Sequence, residues 1–382
     1  MNQRAPLRIF VLIDALGWRF LEGRDFLNNL LPYRNPLRTV LGFSSGAIPT
    51  ILTGVPPSQN GHWNLFYYDP QGSPFRWLRR FNFLPDAMLN HRVTRKLLKE
   101  MGRHVLGLGP LFECSVSPSL LPWFSYLEKR SIYGPGGISG AHSIFDHLAE
   151  QDVPYRVYSY HSGTDAELLD RARHDIETGA ANFFFVYLSE LDLFLHNHCD
   201  KPDLLEKKLE WYDAQLRALF QTGQKADPNL GFTVFSDHGM TPVRNHYDLA
   251  AEIQKLHLRM PQDYLAVYDS TMVRFWFFSE NAHELISKRL ATLSCGRLLP
   301  DSELQALGVF FADRRYGELV FLMHPGWLIS QSDFNGRGWM PVGMHGYHPD
   351  DAYSDGIFLS NCQATALSVA EVYKRMREAI AA

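Results

Sequence analysis

The sequence predicts an α/β fold with a mainly parallel central sheet flanked by helices. Three observations lead there: short apolar runs that stop at polar residues, amphipathic segments between those runs, and three aspartates at or just past the run ends. The first run, residues 7–13 (LRIFVLI), is apolar with little alternation, as a strand covered on both faces requires, and it stops at Asp14. Residues 182–188 (NFFFVYL) and 231–235 (GFTVF) repeat the pattern and run into Ser189-Glu190-Leu191-Asp192 and Ser236-Asp237-His238. Residues 153–158 form a less apolar fourth candidate. Between the runs, residues 143–150 (SIFDHLAE) and 202–220 (PDLLEKKLEWYDAQLRALF) carry apolar side chains at three- and four-residue spacing, the second opening on Pro202-Asp203. Residues 366–381 read as a last amphipathic helix. In such sheets functional groups gather beyond the carboxyl ends of the strands, which is where Asp14, Asp192 and Asp237 fall.

Composition bounds the function. A chain of 382 residues, 46% hydrophobic and 20% charged, fits a globular protein, read here as one domain over 1–382. A net charge of −4 gives no global basic field, so a nucleic-acid partner is not expected. Cys114, Cys199, Cys295 and Cys362 are scattered without a C-x-x-C pair and read as free thiols. Arg4 and Arg8 precede only a short apolar run before Asp14, too short for a signal-peptide core. No stretch reaches the roughly 18 apolar residues of a membrane span, and a cytoplasmic location is expected.

Residues 63–141 read as a cap inserted over that core. Eight aromatics fall between 63 and 83: Trp63, Phe66, Tyr67, Tyr68, Phe75, Trp77, Phe81 and Phe83. From Arg76 to Arg103 there are eight Lys or Arg against two acids, Asp86 and Glu100. The expected role is a subsidiary aromatic core with basic residues solvating its outside. Stacking on a substrate base or lipid, or contact with an anionic membrane, is the alternative.

Four motifs carry chemistry. Asp192-x-x-x-His196 puts two cation ligands one turn apart if the segment is helical. Ser236-Asp237-His238-Gly239 lets neighbouring side chains converge from a tight turn at a strand end. In residues 343–348 (GMHGYH), His345 stands between glycines, where backbone can approach a ligand closely. Residues 43–54 (FSSGAIPTILTG) bring Ser44 and Ser45 to a helix start, where N–H groups and the dipole favour an anion. A cation beside such a serine lowers its hydroxyl pKa. Taken singly, each has a bland reading: a polar loop, a surface turn, a glycine-rich loop, a helix cap.

Taken in order, the motifs resemble the alkaline phosphatase superfamily, and within it the type I phosphodiesterase and nucleotide pyrophosphatase branch. The order is Asp14 after strand one, Ser44 nine residues before Thr53-Gly54, then Asp192 and His196, Asp237-His238-Gly239, and His345 before Gly346. Residues 54–61 (GVPPSQNG) are similar to the family's G-x-x-P-x-x-H-G stretch, with Asn60 in place of its His. The resemblance covers roughly residues 7–62, 143–240 and 310–360. It implies an alkaline-phosphatase-like fold and two divalent cations, zinc with manganese or iron as alternatives. One would be held by Asp192, His196 and His345, the other by Asp14, Asp237, His238 and Ser44. It further implies hydrolysis of a phosphodiester or pyrophosphate in a small-molecule substrate through a phosphoseryl intermediate on Ser44, the Ser45 N–H helping to hold a phosphate oxygen.

The chain also departs from the family. The branch usually has threonine as nucleophile and an asparagine soon after; here Ser44 is followed by Ser45, Gly46 and Ala47. The C/S-x-P-x-R context of sulfatases is absent, which argues against that chemistry, and no arginine like that of the monoesterases stands beside Ser44. A phosphoryl-linked group transferase and a phosphomonoesterase use the same metal site and remain alternatives. A non-catalytic metalloprotein is disfavoured by the serine.

Overall fold

The computed structural model describes residues 6–81, 86–108, 116–127, 131–333 and 339–381, so Arg4, Phe83 and Cys114 lie outside it. Its main sheet has six strands in the order Tyr33–Leu37, Gly356–Ser360, Gly231–Phe235, Arg8–Ile13, Phe183–Leu188 and Tyr155–Tyr158. The last four named are mutually parallel. Gly356–Ser360 runs antiparallel to both of its neighbours. The unbroken apolar runs have a direct cause. Ile9, Val11 and Ile13 enter one core with Val186, Val234 and the helices Asp165–Glu177 and Pro202–Ala226. Phe10 and Leu12 enter a second core on the opposite face, with Phe185, Ile51 and Val372. Both faces of the period-two pleat are covered, so neither set of side chains can be polar.

Several helix limits are chemical. Ser143 accepts from the Asp146 N–H while the Asp146 carboxylate accepts from the Ser143 N–H, a reciprocal cap that starts the helix Ile144–Glu150. The helix expected over 202–220 extends to Ala226, and the one expected from 366 begins at Val369. The helix Ser44–Thr53 ends where Gly54 takes φ 73° and donates its N–H to the Thr50 carbonyl. That left-handed cap explains the glycine of the T-G element.

A second sheet, of four antiparallel strands, was not foreseen. Its order is Tyr264–Tyr268, Met272–Phe277, Leu319–Met323 and Gly296–Leu299. Ala266, Val273 and Phe275 pack with the helices Leu249–Gln254 and Glu280–Leu290. The other face, Leu265, Val267 and Trp276, packs with Phe66, Phe75, Leu78, Leu98, Phe124 and Tyr126. The aromatic segment that follows Trp63 therefore shares a core with this sheet through the hairpin Phe66–Tyr68 and Phe124–Tyr126. Cys199, Cys295 and Cys362 are free thiols. Among the described residues no helix is long and apolar enough to cross a membrane.

Candidate metal centre and catalytic cavity

Parallel register brings the site together. Ile13 pairs with Leu188 and Leu12 with Phe235, so three adjacent strands end level and release Asp14, Ser189 and Ser236 along one edge. The chain then turns sharply: Ala15 has φ 62°, a left-handed conformation costing roughly 1–2 kcal/mol for a residue with a Cβ. Its N–H points at Asp237 Oδ1, 3.4 Å away. Past Ser189, the helix Glu190–His198 carries Asp192 in its first turn and His196 one turn later.

Two groups of three side chains result. Asp192, His196 and His345 offer ligand atoms within 4.8 Å of one another, and so do Asp14, Asp237 and His238. In the first group, His196 Nε2 is 3.3 Å from Asp192 Oδ2 and His345 Nε2 is 3.5 Å from Asp192 Oδ1. In the second, His238 Nε2 lies 3.4 Å from Asp14 Oδ1 and 3.3 Å from Asp237 Oδ2. The groups adjoin, since the His238 and His345 rings stack with centroids 3.8 Å apart.

The protonation pattern fits a cation. His196 Nδ1 donates to the Gly343 carbonyl at 2.8 Å, and His238 Nδ1 to the Gly239 carbonyl at 2.9 Å. A carbonyl only accepts, so in the neutral rings Nε2 carries a lone pair aimed at the carboxylates. Asp14 Oδ1, Asp192 Oδ1 and Asp237 Oδ2 are buried and make no hydrogen bond. Acceptors facing acceptors in a dry site call for a positive ion between them. The carboxyl groups register the same shortage. Burial, then the charges of Asp237 and Asp192, push the Asp14 carboxyl far above its usual range. Burial also opposes charge on Asp192, but His196, His345 and His238 outweigh it and hold that carboxyl low. Burial and the adjacent His238 keep the His345 ring well below an ordinary imidazole.

Ser44 and Ser45 have separate fates. Ser44 Oγ lies 2.9 Å from His238 Nε2, at the edge of the Asp14 group. Ser45 Oγ donates to the Trp63 carbonyl at 2.7 Å, facing away from the cluster. Neither hydroxyl caps the helix, whose N-cap is Phe43. Asn60, standing where the family has histidine, ties its own turn: Nδ2 donates to the Val55 carbonyl and Oδ1 accepts the His62 N–H. Gly343 is obligatory in its place, because a Cβ there would meet Cys199 Sγ at 2.6 Å and the Leu195 carbonyl at 2.9 Å. A bulkier residue would move the carbonyl that orients His196.

Asp192, His196, His345, Asp14 and Ser44 line a cavity of about 780 Å³, with Asp237 and His238 buried behind them. Its walls are largely apolar and aromatic, with Phe43, Phe66, Tyr126, Tyr133 and Tyr160, and among the described residues no Lys or Arg lines it. Three further participants escaped the sequence reading. Asn64 lines the cavity, is 1% exposed, and its Oδ1 has no partner. Tyr187 donates a short hydrogen bond to Asp14 Oδ2, leaving Oδ1 for the cluster. Asp165 accepts the Ser189 N–H on Oδ1 at 3.0 Å and the Glu190 N–H on Oδ2 at 3.2 Å, fixing the helix that bears Asp192 and His196.

A sequence model described as type I phosphodiesterase / nucleotide pyrophosphatase matches residues 43–348. No curated protein matches by sequence. Among solved structures, human ectonucleotide pyrophosphatase / phosphodiesterase 5 aligns with TM-score 0.71 at 14% identity, over 99% of this chain and 95% of that one. The murine protein of that name aligns at 0.70 and 15% identity over the same shares. An inactive variant of the murine protein, in complex with AMP, aligns at 0.69 and 16% identity, again over 99% and 95%. At these identities the likeness is one of fold.

Proposed function

The chain belongs to the type I phosphodiesterase / nucleotide pyrophosphatase family of phosphoric ester hydrolases, and from that premise we propose that it cleaves a phosphodiester or pyrophosphate with Ser44 as nucleophile beside two divalent cations. One observation carries the reading: Ser44 Oγ sits 2.9 Å from His238 Nε2, at a buried cluster whose carboxylate oxygens lack partners. Asp192, His196 and His345 would hold one cation; Asp14, Asp237, His238 and Ser44 Oγ would hold the other. Mixed nitrogen and carboxylate donors suit zinc, with manganese as the alternative. When bound, the cations supply Lewis-acid stabilisation of the attacking and departing oxygens.

The remaining work falls to the chain. Ser44 Oγ gives up its proton and attacks phosphorus, its P–O bond forming as the bond to the leaving oxygen breaks, and the leaving oxygen takes up that proton. Water then cleaves the phosphoseryl ester, returning the hydroxyl proton to Ser44 and releasing a phosphomonoester. The Asn64 amide, either end of which can face the cavity, and the Ser45 N–H at the helix start hold a non-bridging oxygen. The aromatic walls, and AMP in the murine relative, favour a nucleotide-like organic group.

The test is turnover of a chromogenic diester, a monoester and a pyrophosphate with zinc or manganese, with and without an alcohol acceptor. Ser44→Ala should lower diester turnover at least about 10³-fold with metal content unchanged. Full activity in that variant overturns the assignment, while product transferred to the alcohol instead of water moves the reading to a transferase.

A further inference from the structure

The catalytic reading leaves the surface around the helix Arg92–His104 without a task. Leu98 is buried and Met101 half-buried on the core shared with Phe75 and Leu78. At about 100° per residue, Val93 and Leu97 prolong that apolar stripe around the helix. The protein does not cover them: they stand 58% and 66% exposed. Arg92 and Lys96 are exposed beside them. The neighbouring 3₁₀ turn Arg76–Phe81 repeats the mixture, with Trp77 and Phe81 about two-fifths exposed in a T-shaped contact at 6.0 Å and Arg76 and Arg80 in solvent.

Charge identifies what covers this face. Among the described residues Arg76, Arg80, Arg92 and Lys96 are the exposed cations of this surface, against the exposed Glu100, a local balance of +3 on a chain whose net charge is −4. A soluble polyanion would use the charges but leave Val93 and Leu97 in water. An anionic bilayer takes both, pairing headgroups with the cations and receiving apolar side chains at the headgroup boundary. We propose that this face docks onto an anionic membrane surface. Gly107, three residues past the helix, lines the catalytic cavity, so the docking helix runs directly into the cavity wall.

The experiment is flotation of the full chain with vesicles of phosphatidylcholine alone, or with about 30 mol% phosphatidylglycerol, at low and high salt. Binding is expected to the anionic vesicles only and to fall with salt. Arg92→Ala with Lys96→Ala should weaken it about 25-fold, roughly fivefold per charge. Val93→Ser with Leu97→Ser, which leaves the charge unaltered, should weaken it at least about tenfold. Unchanged hydrolysis of a soluble diester by both variants shows that they fold, so a failure here is distinct from failure of the catalytic reading. Absence of vesicle binding, equal binding to neutral vesicles, or full binding by the serine variants would overturn the proposal, the last indicating a soluble polyanion.

Discussion

Two adjacent serines show how little the residue type decides by itself. Ser45 spends its hydroxyl on the Trp63 carbonyl, whereas Ser44 reaches His238. Ser45→Ala should therefore leave turnover within a few-fold, in contrast to Ser44→Ala, and steady-state kinetics on the same diester separates the two. Asn64→Ala removes a buried amide aimed into the cavity. It should lower kcat by about 10²–10³ with a much smaller change in KM, as loss of a group that binds developing charge does; a change confined to KM would assign it to ground-state binding. His62 gives a pH signature. Burial lowers its pKa to about 4, below the ordinary 6.5. Between these values the unfolded chain binds a proton that the folded one refuses, so stability is present above pH 6.5 and is lost as pH falls through 4. His62→Gln should flatten that loss, on the order of 2 kcal/mol, in denaturant titrations from pH 7 to pH 4.

At the scale of elements, the helix Glu190–His198 is held by a residue outside it. Its N-cap, Ser189, makes no side-chain cap, and the two N–H groups at its start go to Asp165, whose Oδ2 also accepts a short hydrogen bond from Tyr212. One buried carboxylate thus sets the pose of Asp192 and His196 without touching the cavity. An asparagine there has one acceptor for two N–H groups. Asp165→Asn should cost about 10–100-fold in affinity for the cation of the Asp192 group, read by zinc titration against a chelating dye. Native affinity with only a lowered melting temperature would reduce Asp165 to a structural cap.

Across the whole molecule, the proposed metal centre should couple folding to metal. Among the described residues Asp14 and Asp237 have no positive partner other than His238, so a cation that binds only the folded chain stabilises it by mass action. Zinc at about 100 times its Kd should add about 2.7 kcal/mol, a rise of a few degrees in melting temperature that a chelator reverses. The rise should shrink in Asp192→Asn and His196→Ala, as calorimetry with and without the chelator would register. The second sheet serves the site at a distance, since its Leu265, Val267 and Trp276 face carries the hairpin whose Phe66 and Tyr126 wall the cavity.

How much of this could be read along the chain depends on the range of the interactions involved. Two-sided burial leaves an unbroken apolar run, and a strand end leaves an aspartate after it, so the parallel strands and the positions of Asp14, Asp192 and Asp237 were written locally. The order of motifs from Ser44 to His345 added the family. The antiparallel sheet escaped because residues 264–323 mix short strands with helices and loops and carry no single period. Tyr187, Asp165 and Asn64 escaped for another reason: a tyrosine in a strand, an aspartate at a helix start and an asparagine in a loop are ordinary in sequence. Only strand register and chain crossing put the Tyr187 hydroxyl on Asp14, and Asp165 under a helix 25 residues away. Sequence by itself determined which groups can ligate, attack or bury. The tertiary structure decided which of them meet, because contact between residues distant in the chain is a property of packing and leaves no local trace.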